Sequence, residues 1–348
     1  METKHELPEF NYPAVLINNA ASAGVNFARE PVLRRMPDGS LFCTFLTGGD
    51  GEPRNENYAA STRSFDDGET WTKLAPLFNH ENRGFWPTEL FTGGQQPCLF
   101  VHSYNAAGDY LGHPYHEIIA YRSWTADSGA TWSPLKKVPL GLANVSVRQG
   151  IVLSNGEWLF PVYWLDLAEG TPDSVLRSGA YVSADQGQSF QTYGYACPGG
   201  ESAAPQNRLW EPNCVEAEPG HVIMLMRASF AGWLYRTDSF DYGRTWSPPA
   251  ATDIPSPSTK ISLAKIDGNI ILANNPKPDG WDNRIDLSLW VSGDGMKTWK
   301  TKLPLSKDPD LHMFYPHMYC DDSRQTLYLT CENCQQSYLL KIPYGKLI

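Results

Sequence analysis

The 348-residue sequence predicts an all-β fold, and three observations support this prediction. One eight-residue motif with turn-forming side chains recurs five times along the chain. Segments of alternating apolar and polar residues precede several copies, and no long segment has the periodicity of a helix. The composition fits as well, because 29 glycines and 27 prolines supply many turns and only 19% of residues are charged.

The repeated motif has the consensus Ser-x-Asp-x-Gly-x-Thr-Trp, which suits a hairpin turn. The five copies are Ser64–Trp71, Thr125–Trp132, Ser183–Phe190, Ser239–Trp246 and Ser292–Trp299. The carboxylate and hydroxyl oxygens can accept hydrogen bonds from nearby backbone N–H groups, while glycine supplies a positive φ. We expect the final aromatic residue to pack between neighbouring sheets. Because Met296 replaces the glycine in the fifth copy, its turn is expected to differ slightly.

The spacing of the motif predicts the number of sheets. Its aspartates, at positions 66, 127, 185, 241 and 294, lie 61, 58, 56 and 53 residues apart. Each interval has room for four short strands, and about six such units fill the chain. The sequence therefore predicts a six-bladed β-propeller with four-stranded antiparallel blades, formed as a single domain over residues 1–348. The motif aspartates are expected to stabilise turns and not to act in catalysis.

Alternating segments and turn signals mark individual strands of these blades. Two clear strands are Ser40–Phe45 and His221–Met226, in which apolar residues dominate. The turn signals are Pro37–Gly39, Ser154–Gly156, Pro219–Gly220 and Asp267–Gly268. Glycine-containing turns of this kind typically connect antiparallel neighbours, which favours hairpin-linked strands.

The charge and hydropathy of the chain argue against some functions. A net charge of −10 is unlike that of a general nucleic-acid binder, although clustered arginines can still make one pocket positive. No apolar run approaches the ~20 residues of a membrane-spanning helix. Residues 1–10 lack the apolar stretch of a signal peptide. We therefore expect a cytoplasmic protein as the sequence stands, or a secreted or periplasmic one if a leader has been removed.

No metal or cofactor is predicted. The seven cysteines lie at scattered positions that indicate no disulfide framework. Cys331 and Cys334 form a lone Cys-x-x-Cys pair, whereas a zinc site needs further ligands at suitable spacing. His312 and His317 lie close to each other in sequence, but no third ligand accompanies them.

The repeated motif and the six-unit length resemble the Asp-box (BNR-repeat) propellers of the sialidase, or neuraminidase, superfamily. The resemblance covers nearly the whole chain. It implies three arginines that bind the substrate carboxylate, a tyrosine nucleophile paired with a glutamate, and an aspartate acid/base. Because Asp boxes also occur in propellers that are not enzymes, the functional residues must be matched one by one.

Three arginines occupy positions that resemble the family's arginine motifs. Arg29 is followed by Glu30 and Pro31, which is similar to the family's Arg-Ile-Pro with glutamate in place of isoleucine. Arg227 lies just before the fourth motif, and Arg284 precedes the fifth. The resemblance implies that these three side chains meet at the centre of the propeller and bind one carboxylate.

The remaining catalytic groups are also matched by position. Tyr315, in a Tyr-Pro pair after the fifth motif, corresponds to the nucleophile, and Glu211, 16 residues before Arg227, corresponds to its base. The acid/base is expected in the loop that follows the first predicted strand. Asp50 is the first choice there and Glu52 the second.

The chemistry of a sialic acid explains this choice of groups. Arginine stays charged and can bind a carboxylate through two N–H groups. The anionic substrate would repel a carboxylate nucleophile, which a neutral tyrosine avoids. A neighbouring glutamate can take the phenol proton, and an acid then protonates the leaving oxygen. The resemblance therefore implies an exo-acting, retaining glycoside hydrolase that releases terminal sialic acid from a glycan.

Other roles and functions stay open from the sequence. Arg148 and Trp86 are further candidates for substrate contact, but a structural role fits each of them equally well. The arginines could form ion pairs between blades, and Tyr315 could be a core residue. The alternative functions are a glycosidase or lyase that acts on another acidic or neutral sugar, such as a uronate-containing polysaccharide, and a glycan-binding propeller without activity. The oligomeric state is not predicted.

Overall fold

The structure, a computed structural model, describes residues 8–106, 116–139, 144–167, 174–196, 209–229 and 231–348. These residues form six antiparallel sheets arranged as the blades of a propeller, which confirms the predicted fold. Two elements precede the first complete blade, namely β1 (Ala14–Asn19) and the short helix α1 (Ala20–Ala23). Among the described residues, no helix combines the length and apolar character needed to span a bilayer.

Blades I to III each begin with the strand nearest the propeller axis. Blade I contains β2 (Ala28–Arg35), β3 (Leu41–Thr47), β4 (Tyr58–Ser64) and β5 (Ala75–Phe78). Blade II contains β6 (Gly84–Phe91), β7 (Cys98–Asn105), β8 (His116–Trp124) and β9 (Lys136–Lys137). Blade III contains β10 (Val145–Val147), β11 (Ile151–Val152), β12 (Trp158–Leu167), β13 (Ser174–Ser183) and β14 (Gln191–Ala196). The inner strand of blade III is split, because β10 and β11 both pair with β12.

Blades IV to VI repeat this order, and the last blade closes the ring. Blade IV contains β15 (Leu209–Glu218), β16 (His221–Ala228), β17 (Trp233–Ser239) and β18 (Ala250–Pro255). Blade V contains β19 (Ser262–Ile266), β20 (Asn269–Asn274), β21 (Ser288–Ser292) and β22 (Thr301–Pro304). Blade VI contains β23 (Phe314–Asp321), β24 (Thr326–Glu332) and β25 (Gln336–Pro343), and β1 is its fourth, outer strand.

The core consists of apolar layers between neighbouring blades. Between blades II and III, for example, Phe91, Phe100 and Phe160 pack together with ring centroids 4.9 Å apart. The predicted position of the motif aromatics is confirmed, because each one packs against an apolar cluster. These residues are Trp71, Trp132, Phe190, Trp246 and Trp299. The repeated motif therefore links each turn to the packing between blades.

All five motif turns use the same side-chain hydrogen bonds. In the first, Asp66 accepts a hydrogen bond from the Thr70 backbone N–H at 2.9 Å and another from the Ser64 hydroxyl at 2.8 Å. In the fifth, Met296 takes the glycine position with a φ of 63° and donates its N–H to the Ser292 hydroxyl at 2.9 Å. The methionine thus adopts the left-handed conformation, and the turn keeps the hydrogen bonds of the other copies.

Candidate active site

Three inner strands share a local distortion at the end where they begin. The pairing register of β2, β15 and β23 shifts at this end, as in a β-bulge. One residue at each shift has a positive φ, namely Glu30 (50°), Glu211 (46°) and Tyr315 (53°). Each precedes a proline, although a residue before proline normally prefers an extended backbone. Strained backbone of this kind tends to occur at functional sites, where surrounding structure holds it in place.

Each of the six blades contributes a buried residue to one cluster around the propeller axis. In blade order these residues are Glu30, Trp86, Arg148, Glu211, Lys260 and Tyr315. They are connected by short charge and ring contacts across the blades, described below. The cluster, with the arginines that surround it, forms the candidate active site.

The structure brings the three matched arginines together around Tyr315. Arg227 Nη1 lies 3.2 Å from the Tyr315 hydroxyl oxygen, to which it donates a hydrogen bond. The guanidinium carbons of Arg29 and Arg284 lie 5.2 and 5.3 Å from the centroid of the Tyr315 ring. The three side chains come from blades I, IV and V and are far apart in sequence. They lie close together because the blades form a closed ring.

Glu211 and Arg227 form the tightest ion pair at this site. Their Oε2 and Nη1 atoms are 2.6 Å apart, and both residues are buried. Arg227 also donates from Nε to the Ser258 hydroxyl at 3.1 Å and stacks on Trp210, with its guanidinium carbon 4.6 Å from the ring centroid. Arg227 therefore contacts both the proposed base and the proposed nucleophile through one nitrogen.

Arg29 and Arg284 differ in how fully their N–H groups are used. Arg29 pairs with Glu52 at 2.7 Å, and its Nε lies 3.6 Å from Glu332, which leaves this one buried nitrogen without a hydrogen bond among the described residues. Arg284 donates from Nη2 to the Ser258 carbonyl oxygen at 2.9 Å. Its Nε and Nη1 atoms are buried and have no hydrogen-bond partner within the described part of the chain. Because an unsatisfied buried donor is costly, these two groups favour an added acceptor such as a ligand carboxylate.

The charges of the site keep Glu211 anionic and Tyr315 protonated. Burial alone would raise the pKa of Glu211, but the guanidiniums of Arg227 and Arg148 outweigh it and hold that pKa well below the usual range. Burial, and then the nearby Glu211 carboxylate, raise the pKa of Tyr315, although Arg227, Arg284 and Arg29 oppose this. At neutral pH the pair is therefore a carboxylate beside a neutral phenol.

The two candidate acids lie in different surroundings. The Asp50 side chain is 76% exposed and pairs with Arg54, with Oδ1 and Nε 2.8 Å apart. The Glu52 side chain is 8% exposed and pairs with Arg29 inside the site. Glu52, the second choice from the sequence, therefore lies among the site residues. Asp50, the first choice, lies at the solvent-exposed edge of the loop. The acid role of Asp50 stays a prediction.

Arg148 and Trp86 are buried next to the residues discussed so far. Arg148 occupies the break between β10 and β11, and its Nη2 lies 3.3 Å from Glu30 and 3.7 Å from Glu211. Its guanidinium carbon is 5.2 Å from the ring centroid of Trp86, which is only 2% exposed. In this structure Trp86 packs against Arg148 within the core, and substrate contact by either residue stays a prediction.

Comparison with known proteins identifies the family. Residues 92–326, about two thirds of the chain, match the BNR repeat-like domain. The chain belongs to the BNR repeat-like domain family. A sialidase of Bacteroides fragilis is 22% identical to this BNR repeat-like protein over 288 residues, which are 71% of the chain and 49% of the relative. The chain therefore spans about half the length of that relative.

Solved structures share the fold of this BNR repeat-like protein. A Hadza microbial sialidase has a TM-score of 0.77 at 18% identity, covering 96% of this chain and 69% of that one. The NanB sialidase of Streptococcus pneumoniae has a TM-score of 0.73 at 15% identity, covering 97% and 71%. A protein of unknown function from Dyadobacter fermentans has a TM-score of 0.72 at 14% identity, covering 97% and 100%. At these identities the similarity establishes the fold.

Three charged residues of the candidate active site were not identified from the sequence. They are Glu30, which was noted only as a replacement for isoleucine, Lys260 and Glu332. One sequence signal did exist, because Glu30, Glu211 and Tyr315 all directly precede proline at the start of an inner strand. Lys260 and Glu332 carry no comparable signal, and only the folded ring places them at the centre.

Proposed function

We propose that this protein is an exo-acting, retaining glycoside hydrolase that releases a terminal sialic acid from glycans. One observation carries the proposal: three arginines from different blades surround Tyr315, and Arg227 joins that tyrosine to Glu211. A carboxylate-bearing sugar is the substrate class that such a concentration of guanidiniums recognises best. The similarity to a sialidase of Bacteroides fragilis supports the same substrate class.

Substrate binding would begin with the carboxylate on the anomeric carbon. The two unpaired N–H groups of Arg284 can donate to it, and Arg29 and Arg227 can contribute further donors beside the phenol. Arg29 is already held by Glu52 and Glu332, and Arg227 by Glu211, so their positions are set before substrate arrives. Such preorganisation reduces the conformational entropy that binding must overcome.

The proposed first chemical step forms a bond between the Tyr315 oxygen and the anomeric carbon. Glu211 accepts the phenol proton as the bond forms, and the glycosidic C–O bond breaks. The leaving oxygen takes a proton from the acid, for which Asp50 and Glu52 are the candidates. In the second step, water attacks the anomeric carbon, the deprotonated acid accepts the proton from water, and Tyr315 leaves and recovers its proton from Glu211. Two displacements at the same carbon give net retention.

A second candidate function follows from the same arginines. A guanidinium binds any carboxylate, so a glycosidase or lyase that acts on another acidic sugar, such as a uronate, also fits the site. The glutamate in place of isoleucine after Arg29 favours keeping this alternative. Activity on uronate-containing oligosaccharides without activity on sialosides would support it.

The test is turnover of a fluorogenic sialoside by the wild-type protein and by Tyr315→Phe. We expect the wild type to release sialic acid and the variant to lose about 10³-fold or more in kcat, because the nucleophilic oxygen is gone. Binding of an unsaturated sialic-acid analogue should change only a few-fold, since the arginines stay in place. The control is Tyr193→Phe on the outer strand β14, which should keep full activity.

Two results would contradict the proposal. If the wild type cleaved no sialoside across a panel of linkages yet bound them, the propeller would be a glycan-binding protein. If Tyr315→Phe kept its activity, the tyrosine would not be the nucleophile.

A further inference from the structure

Next to Tyr315 and Glu211 lies a second group of buried charges. Glu30 is 2% exposed, and its Oε2 lies 3.3 Å from Arg148 Nη2 and 3.6 Å from Lys260 Nζ. Arg148 also reaches Glu211, at 3.7 Å, so it connects the two groups. We refer to Glu30, Arg148 and Lys260 as the support layer.

Lys260 lies close to the aromatic ring of Tyr315. Its Nζ is 5.9 Å from the ring centroid, and the side chain is 8% exposed. A cation at this distance in a buried site stabilises a phenolate and favours loss of the phenol proton. Burial lowers the pKa of Lys260, while the carboxylates of Glu30 and Glu211 oppose that change.

Glu30 balances the positive charge of this layer. Arg148 and Lys260 are both positively charged, and Glu30 lies within 3.6 Å of each, whereas Glu211 pairs mainly with Arg227. Buried ions are tolerated when they are paired in this way. Glu30 also has the same positive-φ position before proline as Glu211 and Tyr315, so the chain accepts backbone strain to direct this carboxylate towards Arg148 and Lys260.

We propose that the support layer sets the ionisation of Tyr315 and Glu211 without touching substrate, with Lys260 favouring the phenolate and Glu30 moderating that effect. Arg148 is a positioning residue that holds the Glu211 carboxylate. This inference rests on the proposed hydrolysis, in which Tyr315 must lose its proton to Glu211. It also explains why a glutamate follows Arg29 in this chain.

The other charged groups around Tyr315 lie on the remaining sides. They are Arg29 from blade I, Arg227 and Glu211 from blade IV, and Arg284 from blade V. Arg29, Arg227 and Arg284 are expected to engage the substrate carboxylate, whereas Lys260 and Glu30 pair within the buried layer. Variants of the support layer can therefore change the charge near the phenol while the proposed carboxylate site stays intact.

The test compares Lys260→Met with Lys260→Arg, whose guanidinium stays charged in alkali, and adds Glu30→Gln and the Lys260→Met/Glu30→Gln double variant. The readout is the ionisation of Tyr315, measured as the difference in near-ultraviolet absorbance between each protein and its Tyr315→Phe counterpart during alkaline titration. Because burial lowers the pKa of Lys260 and raises that of Tyr315, the lysine of the wild type loses its charge before the phenol ionises, so Lys260→Arg is the charged reference. The pKa of Tyr315 should be about one to two units higher in Lys260→Met than in Lys260→Arg, as expected for a charge about 6 Å away at an effective dielectric constant near 20. Glu30→Gln should lower the pKa of Tyr315 relative to the wild type. The double variant removes one charge of each sign and should have a Tyr315 pKa close to that of Lys260→Arg.

Kinetics provide the second readout. With a fluorogenic sialoside, loss of the Lys260 charge should raise the pKa of Glu211 and move the acidic limb of kcat/KM to higher pH, and the double variant should move it back. KM at the optimum should change less than threefold. Lys265→Met is the matched control, because this exposed lysine on β19 contacts backbone oxygens of blade IV at the far end of the strand.

The outcomes separate the two proposals. A Tyr315 pKa that is no higher in Lys260→Met than in Lys260→Arg, or no lower in Glu30→Gln than in the wild type, would overturn the role of the support layer. Because the titration of Tyr315 needs no turnover, this result stands even if the wild type fails to cleave sialosides, which would contradict only the proposed function.

Discussion

Two residues that are close in sequence, Asp50 and Glu52, lie in very different surroundings. Glu52 is buried against Arg29, whereas Asp50 faces solvent and pairs with Arg54. A general acid must reach the leaving oxygen, and only Glu52 lies among the residues of the site. The position of Glu52 therefore makes it a strong candidate for the acid that the sequence assigned first to Asp50.

The acid can be identified with Glu52→Gln and Asp50→Asn, each of which removes one ionisable group. The variant that lacks the acid should lose about 10²- to 10⁴-fold in kcat on a natural sialoside with a poor leaving group. It should keep most of its activity on a sialoside with an activated phenol, which leaves without protonation. The other variant serves as the control. Equal losses on both substrates would mean that the substituted residue positions Arg29 and does not donate the proton.

At the scale of elements, the Asp-box turns are stabilised by ionised carboxylates. In the first three copies, the hydroxyl and backbone N–H groups around the aspartate lower its pKa to about 2, as seen for Asp66, Asp127 and Asp185. A carboxyl whose pKa is lower in the folded than in the unfolded state stabilises the fold above its unfolded pKa. That contribution is lost as the pH falls through the folded pKa. The turns should therefore weaken between about pH 4 and pH 2.

This predicts a pH-dependent effect of Asp127→Asn. At neutral pH the variant should unfold at a lower urea concentration than the wild type, because it lacks the charged acceptor. The difference should narrow as the pH falls towards about 2.5, where the wild type loses the same contribution. The control is Asp253→Asn on the exposed edge strand β18. A difference that stayed constant from neutral to acidic pH would contradict the role of the carboxylate charge.

The sequence predicted the strands, turns and blades well, but it did not predict the network of buried charges at the site. The Asp-box turns and their aromatic residues follow from local chemistry, so five copies were enough to infer the blades. Arg29, Arg227, Arg284 and Tyr315 were predicted to lie together because each has a fixed relation to a motif, and the structure places them close together. The charge network could not be predicted, because Lys260 contacts Glu30, 230 positions earlier, and Tyr315, 55 positions later, only through the curvature of the ring.

At the scale of the whole molecule, the ring is closed by strands from the two ends of the described chain. β1 pairs antiparallel with β25 and becomes the outer strand of blade VI. Ile17 of β1 is buried and packs in a cluster that includes Leu33 of blade I and Leu339 of blade VI. The closure therefore combines a backbone ladder with apolar packing between the first and last blades.

Ile17→Ala should weaken this closure. Truncating a buried isoleucine typically costs about 2–5 kcal/mol, through lost apolar burial and the cavity that remains. We expect a lower midpoint in urea unfolding followed by tryptophan fluorescence. Val152→Ala on β11 is the comparison, since that valine is 48% exposed and its truncation should change stability by about 0.5 kcal/mol or less. Equal effects at the two positions would show that β1 contributes little to stability.

The pairing of β1 with β25 also has a consequence for biosynthesis. Ala14 is translated 326 residues before its partner Leu340. Until β25 has left the ribosome, β1 has no partner strand and the apolar side of blade I stays uncovered, so nascent chains on a polysome could pair through them. We therefore expect folding of the propeller to finish only after β25 has emerged, at a rate limited by this one long-range contact.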